Sequence, residues 1–350
     1  MDITLVAPCK DLSGGIKVIA KYGNLLHEHG HNVTVVYPRR RLGLRQSIRQ
    51  GIKRIVKNEK DHLDRFVGNL LAVDEVTETQ VPAGDVIIAT AWETAEWVNA
   101  LSERKGKKVY LIQGHEVWNA PEERVYATYR FLFKKITISQ WLKDLVKDIS
   151  GDEDIDVIPN ASDHMIDMVR HGGSSRPFDI GMTYSPIPNK GADIGLTVMK
   201  QIKAEFPKAR FVVFGSETPE VELPADTVVY TRPDQELISK IYQQTSIWIS
   251  TSYEEGFCLP CLEAASSGTA IVSTDNKGVR DIITDSVNGY ITSPGKPDEI
   301  IRRVRALLKD SELLNTMQEK AYRRSKDFSW EISGDRMSNI LTKLVGEKAS

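Results

Sequence analysis

Cysteine is scarce in this sequence of 350 residues, which contains only three. Three thiols cannot all pair and nothing in the sequence signals secretion, so a disulfide-stabilised secreted domain is disfavoured and a cytoplasmic protein is expected. Long apolar runs are missing too, since none approaches the roughly 20 residues that a membrane-spanning helix requires. The charge is nearly balanced at a net −2, which gives no indication of nucleic-acid binding.

Apolar residues make up 41% of the sequence and charged residues 27%, which is the composition of a soluble globular protein. Its length is sufficient for two domains, each with its own core. Short β-branched runs alternate with amphipathic helical segments, which favours a parallel α/β architecture. In the first half, strands are predicted at Ile3–Pro8, Asn32–Tyr37, Asp85–Thr90, Lys108–Gln113, Ile136–Ser139 and Asp156–Pro159. In the second half, strands are predicted at Phe178–Tyr184, Ala209–Gly215, Thr227–Arg232, Ser246–Ser252 and Ala270–Thr274.

A polar, glycine-rich stretch from His171 to Pro177 separates the two halves and is typical of a linker. Two doubly wound domains that face each other across a cleft are therefore expected. Ligands of such sheets bind outside the carboxyl ends of the strands, so the residues that follow strands are the first candidates for a site.

The most informative run is Glu255-Gly256-Phe257-Cys258-Leu259-Pro260-Cys261-Leu262-Glu263. It follows a predicted strand, and Pro260 suits the first turn of a helix. The first N–H groups of that helix have no partners within it, so they favour an anionic phosphate. The carboxylates of Glu255 and Glu263 only accept hydrogen bonds and therefore suit sugar hydroxyls. This combination predicts a nucleotide-sugar site, and the alternative is a surface helix whose two glutamates face water.

The same run resembles the E-x7-E signature of the retaining GT-B glycosyltransferases of family 4, and the resemblance continues through 264–275 and 278–290. It implies the GT-B fold, an α/β fold of two doubly wound Rossmann-like domains. It also implies an acceptor-side domain at 1–168, a linker at 169–177, a nucleotide-sugar domain at 178–329, and a last helix at 330–350 that packs back on the first domain. Phe328-Ser329-Trp330-Glu331 resembles the family's closing segment, and an ordinary terminal helix of the second domain is the alternative.

A second match to the family is the phosphate-binding turn at Tyr184–Gly191. Lys190 matches the lysine that helps to clamp the donor diphosphate, but Ser185 stands where the family has an arginine. A hydroxyl does not replace a bidentate guanidinium group on a diphosphate. Either another cation compensates, with Arg232 and Arg280 as candidates, or donor binding is weaker or differently specified.

The remaining donor-site candidates lie at other strand ends. Thr231 and Arg232 end a strand where the family has its nucleobase pocket. Gly14 and Gly15 follow the first strand and resemble the family's glycine loop. The G-x-G-x-x-G motif of a dinucleotide site is absent from this loop, which argues against a dehydrogenase. The complete set of donor-binding candidates is Gly14, Gly15, Lys190, Thr231, Arg232, Glu255, Gly256, Phe257, Cys258, Leu259 and Glu263.

The candidate catalytic residues are His115, Lys190 and Glu255. His115-Glu116 is similar to a His-Asp pair that the family places near the donor sugar. A histidine there can bond a sugar hydroxyl or stabilise positive charge that develops at the anomeric carbon. A structural histidine is the alternative.

Three other patterns have plainer interpretations. Cys258 and Cys261 form a C-x-x-C pattern, but their place inside the glutamate run favours packing over redox chemistry. The acidic turn Asp152–Asp156 favours a solvated loop over a metal site. Nine basic residues against one acidic residue, with an apolar stripe beside them, occupy Arg39–Lys60. Such a helix either lies on an anionic membrane surface or acceptor, or packs on the first sheet.

The sequence as a whole predicts a metal-independent retaining glycosyltransferase that moves a hexose-type sugar from a UDP, GDP or TDP sugar to a hydroxyl acceptor. The resemblance implies front-face retention, with the leaving phosphate taking the acceptor's proton. It also implies a glycan acceptor in cell-surface polysaccharide or lipopolysaccharide assembly. The basic segment Arg39–Lys60 fits a lipid-linked acceptor and a peripheral position at the inner face of the membrane. The alternatives are a nucleotide-sugar-binding protein that has lost activity, and a GT-B epimerase or hydrolase of nucleotide sugars.

Overall fold

A computed structural model of the chain describes residues 1–11, 13–39, 61–118, 120–163 and 176–346. The chain folds into two compact units. The first unit consists of 1–159 together with 331–350, and the second consists of 160–330. The predicted linker lies almost wholly outside the described residues, as does the basic segment predicted at Arg39–Lys60 apart from its first residue.

The first unit is built on a parallel sheet of seven strands in the order β3-β2-β1-β4-β5-β6-β7. The strands are β1 (Asp2–Val6), β2 (Asn32–Pro38), β3 (Asn69–Val73), β4 (Val86–Ala89), β5 (Lys107–Ile112), β6 (Lys134–Thr137) and β7 (Ile155–Val157). Its described helices are α1 (Gly14–Glu28), α2 (Trp92–Asn99), α3 (Glu122–Tyr129) and α4 (Gln140–Ser150). Every residue of β4 is fully buried, as expected of a parallel strand covered on both faces.

The second unit has a parallel sheet of six strands in the order β10-β9-β8-β11-β12-β13. The strands are β8 (Phe178–Tyr184), β9 (Phe211–Gly215), β10 (Thr227–Thr231), β11 (Thr245–Ser250), β12 (Ala270–Thr274) and β13 (Tyr290–Thr292). Its helices are α5 (Ala192–Glu205), α6 (Gln235–Gln243), α7 (Leu259–Ser266), α8 (Pro297–Lys309) and α9 (Ser311–Ser325). The strand order reverses between β8 and β11, and such a switch point is where open α/β sheets bind their ligands.

The last helix, α10 (Trp330–Gly346), has most of its length in the first unit. A Cβ atom added to Gly334 would lie 3.2 Å from Cβ of Leu25 on α1, so the two helices are in close contact. His29 Nε2 lies 2.7 Å from the Asp335 carboxylate, and Ser333 Oγ donates to the carbonyl oxygen of Pro159 at 2.8 Å. None of the helices among the described residues is long and apolar enough to cross a bilayer.

The two parallel sheets confirm the predicted α/β class, but some strand predictions were wrong in detail. The edge strands β3, with five residues, and β13, with three, were missed. The strand predicted at Ile136–Ser139 ends at Thr137, because Ser139 adopts the extended N-cap position of α4. The strand predicted at Ser246–Ser252 ends at Ser250, where the chain turns into the loop that carries Glu255.

Candidate functional site

Lys190 and Glu255, which are 65 positions apart in the chain, form an ion pair in the second unit. The ammonium group of Lys190 donates to both carboxylate oxygens of Glu255, at 2.8 and 2.9 Å. Ser252 Oγ donates to the same carboxylate at 2.7 Å. The Glu255 side chain is 17% exposed and that of Lys190 is 37% exposed, so the pair is accessible at one side. Two of the predicted catalytic residues are thus in direct contact.

Backbone contacts between two turns place this pair at the carboxyl ends of β8 and β11. The N–H of Tyr253 donates to the carbonyl oxygen of Asn189 at 2.8 Å, and the amide of Asn189 donates to the carbonyl oxygen of Glu254 at 3.2 Å. Gly191 has φ +59°, and a Cβ atom there would lie 2.2 Å from the carbonyl oxygen of Thr251. Only glycine allows this approach, so Gly191 fixes the position of Lys190.

The first turn of α7 presents open backbone donors beside the pair. Among the described residues, no acceptor is found for the N–H groups of Phe257, Cys258 and Leu259. Cys258 stands at the N-cap with φ +32°, a left-handed conformation, and Pro260 occupies the first turn as predicted. Unsatisfied N–H groups at a helix start carry partial positive charge and favour an anion. Gly256 joins Glu255 to this turn.

Glu263 lies about one turn inside α7 and is only 7% exposed. The hydroxyl of the fully buried Tyr242 donates to its carboxylate at 3.1 Å. Burial, together with the nearby Glu263 carboxylate, holds the pKa of Tyr242 well above its usual range. The hydroxyl therefore stays protonated and fixes one carboxylate oxygen of Glu263.

The two cysteines of the C-x-x-C pattern are buried free thiols. Cys258 Sγ lies 2.8 Å from Cys261 Sγ and accepts a hydrogen bond from the Asn276 amide at 3.4 Å. Burial raises the pKa of the Cys261 thiol well above its usual range. These contacts favour packing at the start of α7, as the sequence suggested.

The cations that were expected to compensate for Ser185 are engaged elsewhere. Arg280 donates to both carboxylate oxygens of Asp275, at 2.8 and 2.7 Å. Arg232 has φ +54°, and its Nε donates to the carbonyl oxygen of Ser216 at 3.0 Å. Sequence reasoning missed Lys277, whose ammonium group pairs with the carboxylate of Glu254, the residue before Glu255. A basic residue directly before Gly278, in a turn after a strand, was the signal available.

Thr231 ends β10, and its hydroxyl lies 2.6 Å from that of Thr218, so it is held at the exposed edge of the sheet. A cavity of about 630 Å³ opens beside the turn that follows β8. Its lining includes Ser185, Tyr253 and residues of α5, but neither Lys190 nor Glu255. The cavity therefore adjoins the ion pair without containing it.

Three predicted residues lie at strand ends of the first unit. Gly14 begins α1, and a Cβ atom on Gly15 would lie 3.8 Å from the side chain of Gln113, so the ends of β1 and β5 are close together. The ring of His115, two residues after Gln113, stacks on Tyr126 with centroids 5.9 Å apart. The structure thus brings Gly14, Gly15 and His115 to one edge of this sheet.

Glu116, next to His115, was not singled out for a role of its own. Its carboxylate accepts a hydrogen bond from the N–H of Trp92 at 2.9 Å, at the start of α2. Removal from water raises the pKa of Glu116 to about 7, with Glu93 adding to the shift. The contact with Trp92 could not be predicted from the sequence, because it depends on how α2 packs against the end of β5.

The acidic turn Asp152–Asp156 is occupied by ion pairs with two neighbouring lysines. Lys135 pairs with Asp152 at 2.7 Å, and Lys134 pairs with Asp154 and, at 2.8 Å, with Asp156. These carboxylates are therefore neutralised within the protein, which favours the interpretation as a loop.

Residues 175–324 match a family model described as glycosyl transferases group 1. A similar relative is the poly(glycerol-phosphate) alpha-glucosyltransferase of Bacillus subtilis, which is 30% identical over 170 residues. The match covers 41% of this chain and 24% of that relative, so the chain spans about a quarter of the relative's length.

Two solved structures resemble the whole chain in fold. Sucrose-phosphate synthase from Thermosynechococcus elongatus has a TM-score of 0.74 at 14% identity, with 99% of each chain covered. Anabaena HepE, solved with UDP and glucose, has a TM-score of 0.74 at 15% identity, with 98% of this chain and all of the other covered. The chain therefore has the GT-B fold of these structures, and residues 175–324 carry its match to the glycosyl transferases group 1 family.

Proposed function

We propose that the protein is a retaining, metal-independent glycosyltransferase that moves a hexose-type sugar from a nucleoside-diphosphate sugar to a hydroxyl acceptor. The observation that supports this best is the Lys190–Glu255 ion pair beside the open N–H groups of Phe257, Cys258 and Leu259. Cationic and N–H groups suit a pyrophosphate, and a carboxylate suits sugar hydroxyls. The cationic and N–H groups and the carboxylate meet where the turn that carries Lys190 contacts the loop that carries Glu255.

The donor pyrophosphate would lie on the start of α7 and on the ammonium group of Lys190. Glu255 neutralises that ammonium group in this structure, so the phosphate must compete with the carboxylate. Once Lys190 turns to the phosphate, Glu255 is released to accept from a sugar hydroxyl, and Glu263 accepts from another hydroxyl of the donor. Departure of the nucleoside diphosphate builds negative charge, so Lys190 and the helix start stabilise the transition state more than the ground state.

The first donor to test is a UDP-hexose, because the similar Anabaena structure holds UDP and glucose. Thr231 and Arg232 at the end of β10 are proposed to contact the base. GDP and TDP sugars are tested as donors as well, since neither Thr231 nor Arg232 is selective for one base. The leaving phosphate is proposed to take the acceptor's proton, which gives retention without a protein base.

The acceptor is proposed to be a glycan or a lipid-linked hydroxyl compound in cell-surface polysaccharide or lipopolysaccharide assembly. A relative named as a poly(glycerol-phosphate) glucosyltransferase supports a polymeric hydroxyl acceptor. Gly14, Gly15 and His115 of the first unit are proposed to serve the acceptor side of the reaction. The basic segment Arg39–Lys60 is proposed to meet an anionic membrane surface, which would place the enzyme peripherally at the inner face.

A binding protein without activity is a second candidate, because Ser185 replaces the expected arginine. Its hydroxyl accepts a hydrogen bond from the N–H of Ile187 at 3.3 Å, so it is used within the turn. Titration calorimetry with UDP, GDP and TDP sugars, followed by incubation with hydroxyl acceptors, separates the candidates. Nuclear magnetic resonance of the anomeric proton then identifies the product.

A glycoside with the donor's anomeric configuration supports the proposal. Donor binding without turnover supports the binding protein. Free or isomerised sugar in the absence of acceptor supports a hydrolase or epimerase. An inverted product contradicts the retaining mechanism, and failure to bind any of the donors contradicts the site.

A further inference from the structure

We propose that Lys277 is the second cation for the donor pyrophosphate and replaces the guanidinium group that the family pattern places at Ser185. This inference rests on the proposed function, since it assigns a further residue to the same site. Four observations carry it: the packing of the turn that holds Lys277, its backbone conformation, its ion pair, and the engagement of the other candidate cations.

The turn that follows β12 lies directly against the loop that carries Glu255. The N–H of Glu255 donates to the carbonyl oxygen of Asn276 at 2.9 Å. A Cβ atom on Gly278 would lie 2.6 Å from the carbonyl oxygen of Glu255 and 2.8 Å from the backbone nitrogen of Phe257. Lys277 is therefore flanked by two residues that touch the loop and the first open N–H group of the helix start.

The backbone at Lys277 is strained. Lys277 has φ +66° and ψ −55°, and the N–H of Gly278 donates to the carbonyl oxygen of Asn276 at 2.8 Å. These features define a γ-turn with positive φ, the rarer and more strained of the two γ-turn forms. Residues held in such sparsely populated backbone regions concentrate at ligand sites.

The charges on this side of α7 form two neighbouring ion pairs. Lys190 pairs with Glu255 and Lys277 pairs with Glu254, so two cations from different turns meet two consecutive glutamates. The Lys277 side chain is 44% exposed and that of Glu254 is 21% exposed. The carboxylates hold both ammonium groups in place, and a pyrophosphate with more than one negative charge can draw both cations away from them.

The arginines that could fill the same role face other partners. Arg280 donates through Nε and Nη2 to the Asp275 carboxylate, and Nε of Arg232 donates to the carbonyl oxygen of Ser216. Lys277 differs from them because its turn touches the backbone of Glu255 and Phe257. Lys277 thus supplies a second ammonium group, which is a point charge, in place of the forked guanidinium group of an arginine.

The inference is tested by calorimetry of UDP, GDP and TDP, with uridine as a ligand without phosphate, on wild type and Lys277→Gly. Glycine adopts positive φ without the strain that a Cβ atom causes, so the variant is expected to fold at least as stably as wild type. Its affinity for the nucleoside diphosphate is expected to fall about tenfold, with uridine binding unchanged. Ser286→Gly is the matched control, since Ser286 also has positive φ (61°) in the same unit but carries no charge.

Glu254→Gln provides a change in the opposite direction. It removes the carboxylate that competes for Lys277, so nucleoside-diphosphate affinity is expected to rise several-fold. A purely structural ion pair would instead give weaker or unchanged binding, which would overturn the inference. So would a Lys277→Gly variant that binds the diphosphate as tightly as wild type. If wild type itself binds none of the three diphosphates, the proposed function fails together with the inference.

Discussion

At the scale of single residues, the proposed chemistry depends on the ammonium group of Lys190. Lys190→Ala removes a positive charge that stabilises the leaving diphosphate more strongly in the transition state than in the ground state. We therefore expect kcat to fall about 100-fold, with a smaller change in donor affinity. Steady-state kinetics with a UDP-hexose and calorimetry measure the two effects separately. Lys240→Ala is the matched control, because Lys240 also pairs with a glutamate, Glu236 at 2.6 Å, but lies on α6. Equal losses in both variants would contradict the assignment.

Glu263 is expected to act mainly on donor binding. Glu263→Ala removes an acceptor for a donor hydroxyl, so donor affinity is expected to fall about tenfold, with kcat less affected. Tyr242→Phe removes only the hydroxyl that donates to Glu263 and should weaken the donor less. Donor titrations of the two variants check this. If Glu263→Ala binds donor as wild type does, the carboxylate has no role in recognition.

Glu116 predicts a pH dependence of stability in the first unit. Its pKa is about 7 in the folded protein against 4.5 for an ordinary glutamate, so the folded state binds more protons between these values. The free energy of unfolding is therefore expected to fall by about 3 kcal/mol as pH rises from about 4 to about 8. Urea unfolding of Glu116→Gln should lose this slope, whereas Glu123→Gln, at an exposed position of α3, should retain it.

At the scale of secondary-structure elements, β8 and β11 pack closely because Gly181 leaves room for Trp248. A Cβ atom on Gly181 would lie 2.4 Å from the ring of the fully buried Trp248. Gly181→Ala is therefore expected to lower the free energy of unfolding by about 2 kcal/mol or more. Gly195→Ala on α5 is the control, since its close neighbour is the flexible end of Met182, at 2.6 Å, and alanine favours a helix. Chemical denaturation measures the free energy of unfolding of both variants. Equal losses would show that the rigidity of the Trp248 ring does not determine the cost of the added Cβ atom.

Elements also show how far the sequence determines this fold. The strands Phe178–Tyr184 and Ala270–Thr274 were predicted with correct bounds, and the second of them shows the fully buried, β-branched run that is typical of a central parallel strand. The edge strand Tyr290–Thr292 was missed. The γ-turn at Lys277 could not be predicted either, because the contact of Gly278 with Phe257 imposes it.

At the scale of the whole molecule, the ends of the chain meet in one unit. α10 contacts α1 through Gly334 and the His29–Asp335 pair. Deleting 331–350 is expected to lower the melting temperature of the protein by at least about 5 °C, because the covered face of α1 becomes exposed. Scanning calorimetry measures this, with deletion of 347–350 alone as the control. An unchanged melting temperature would show that the helix adds no stability.

The family match lies at 175–324, entirely within the second unit. The sequence predicted that Lys190 and Glu255 serve the same donor site, because both residues follow predicted strands of the second domain. Their distance, and the carboxylate that holds Lys277, required the tertiary structure. Activity, acceptor and membrane association stay proposals, since the match covers only 24% of the relative.

The strained turn at Lys277 has a consequence for protein engineering. A common route to heat resistance relieves backbone strain by placing glycine at residues of positive φ. Applied to this chain, the rule would select Lys277, and glycine there would stabilise the turn while removing the proposed second cation for the donor pyrophosphate. Asp226 and Ser286, with φ 63° and 61°, are the safer positions for such a programme.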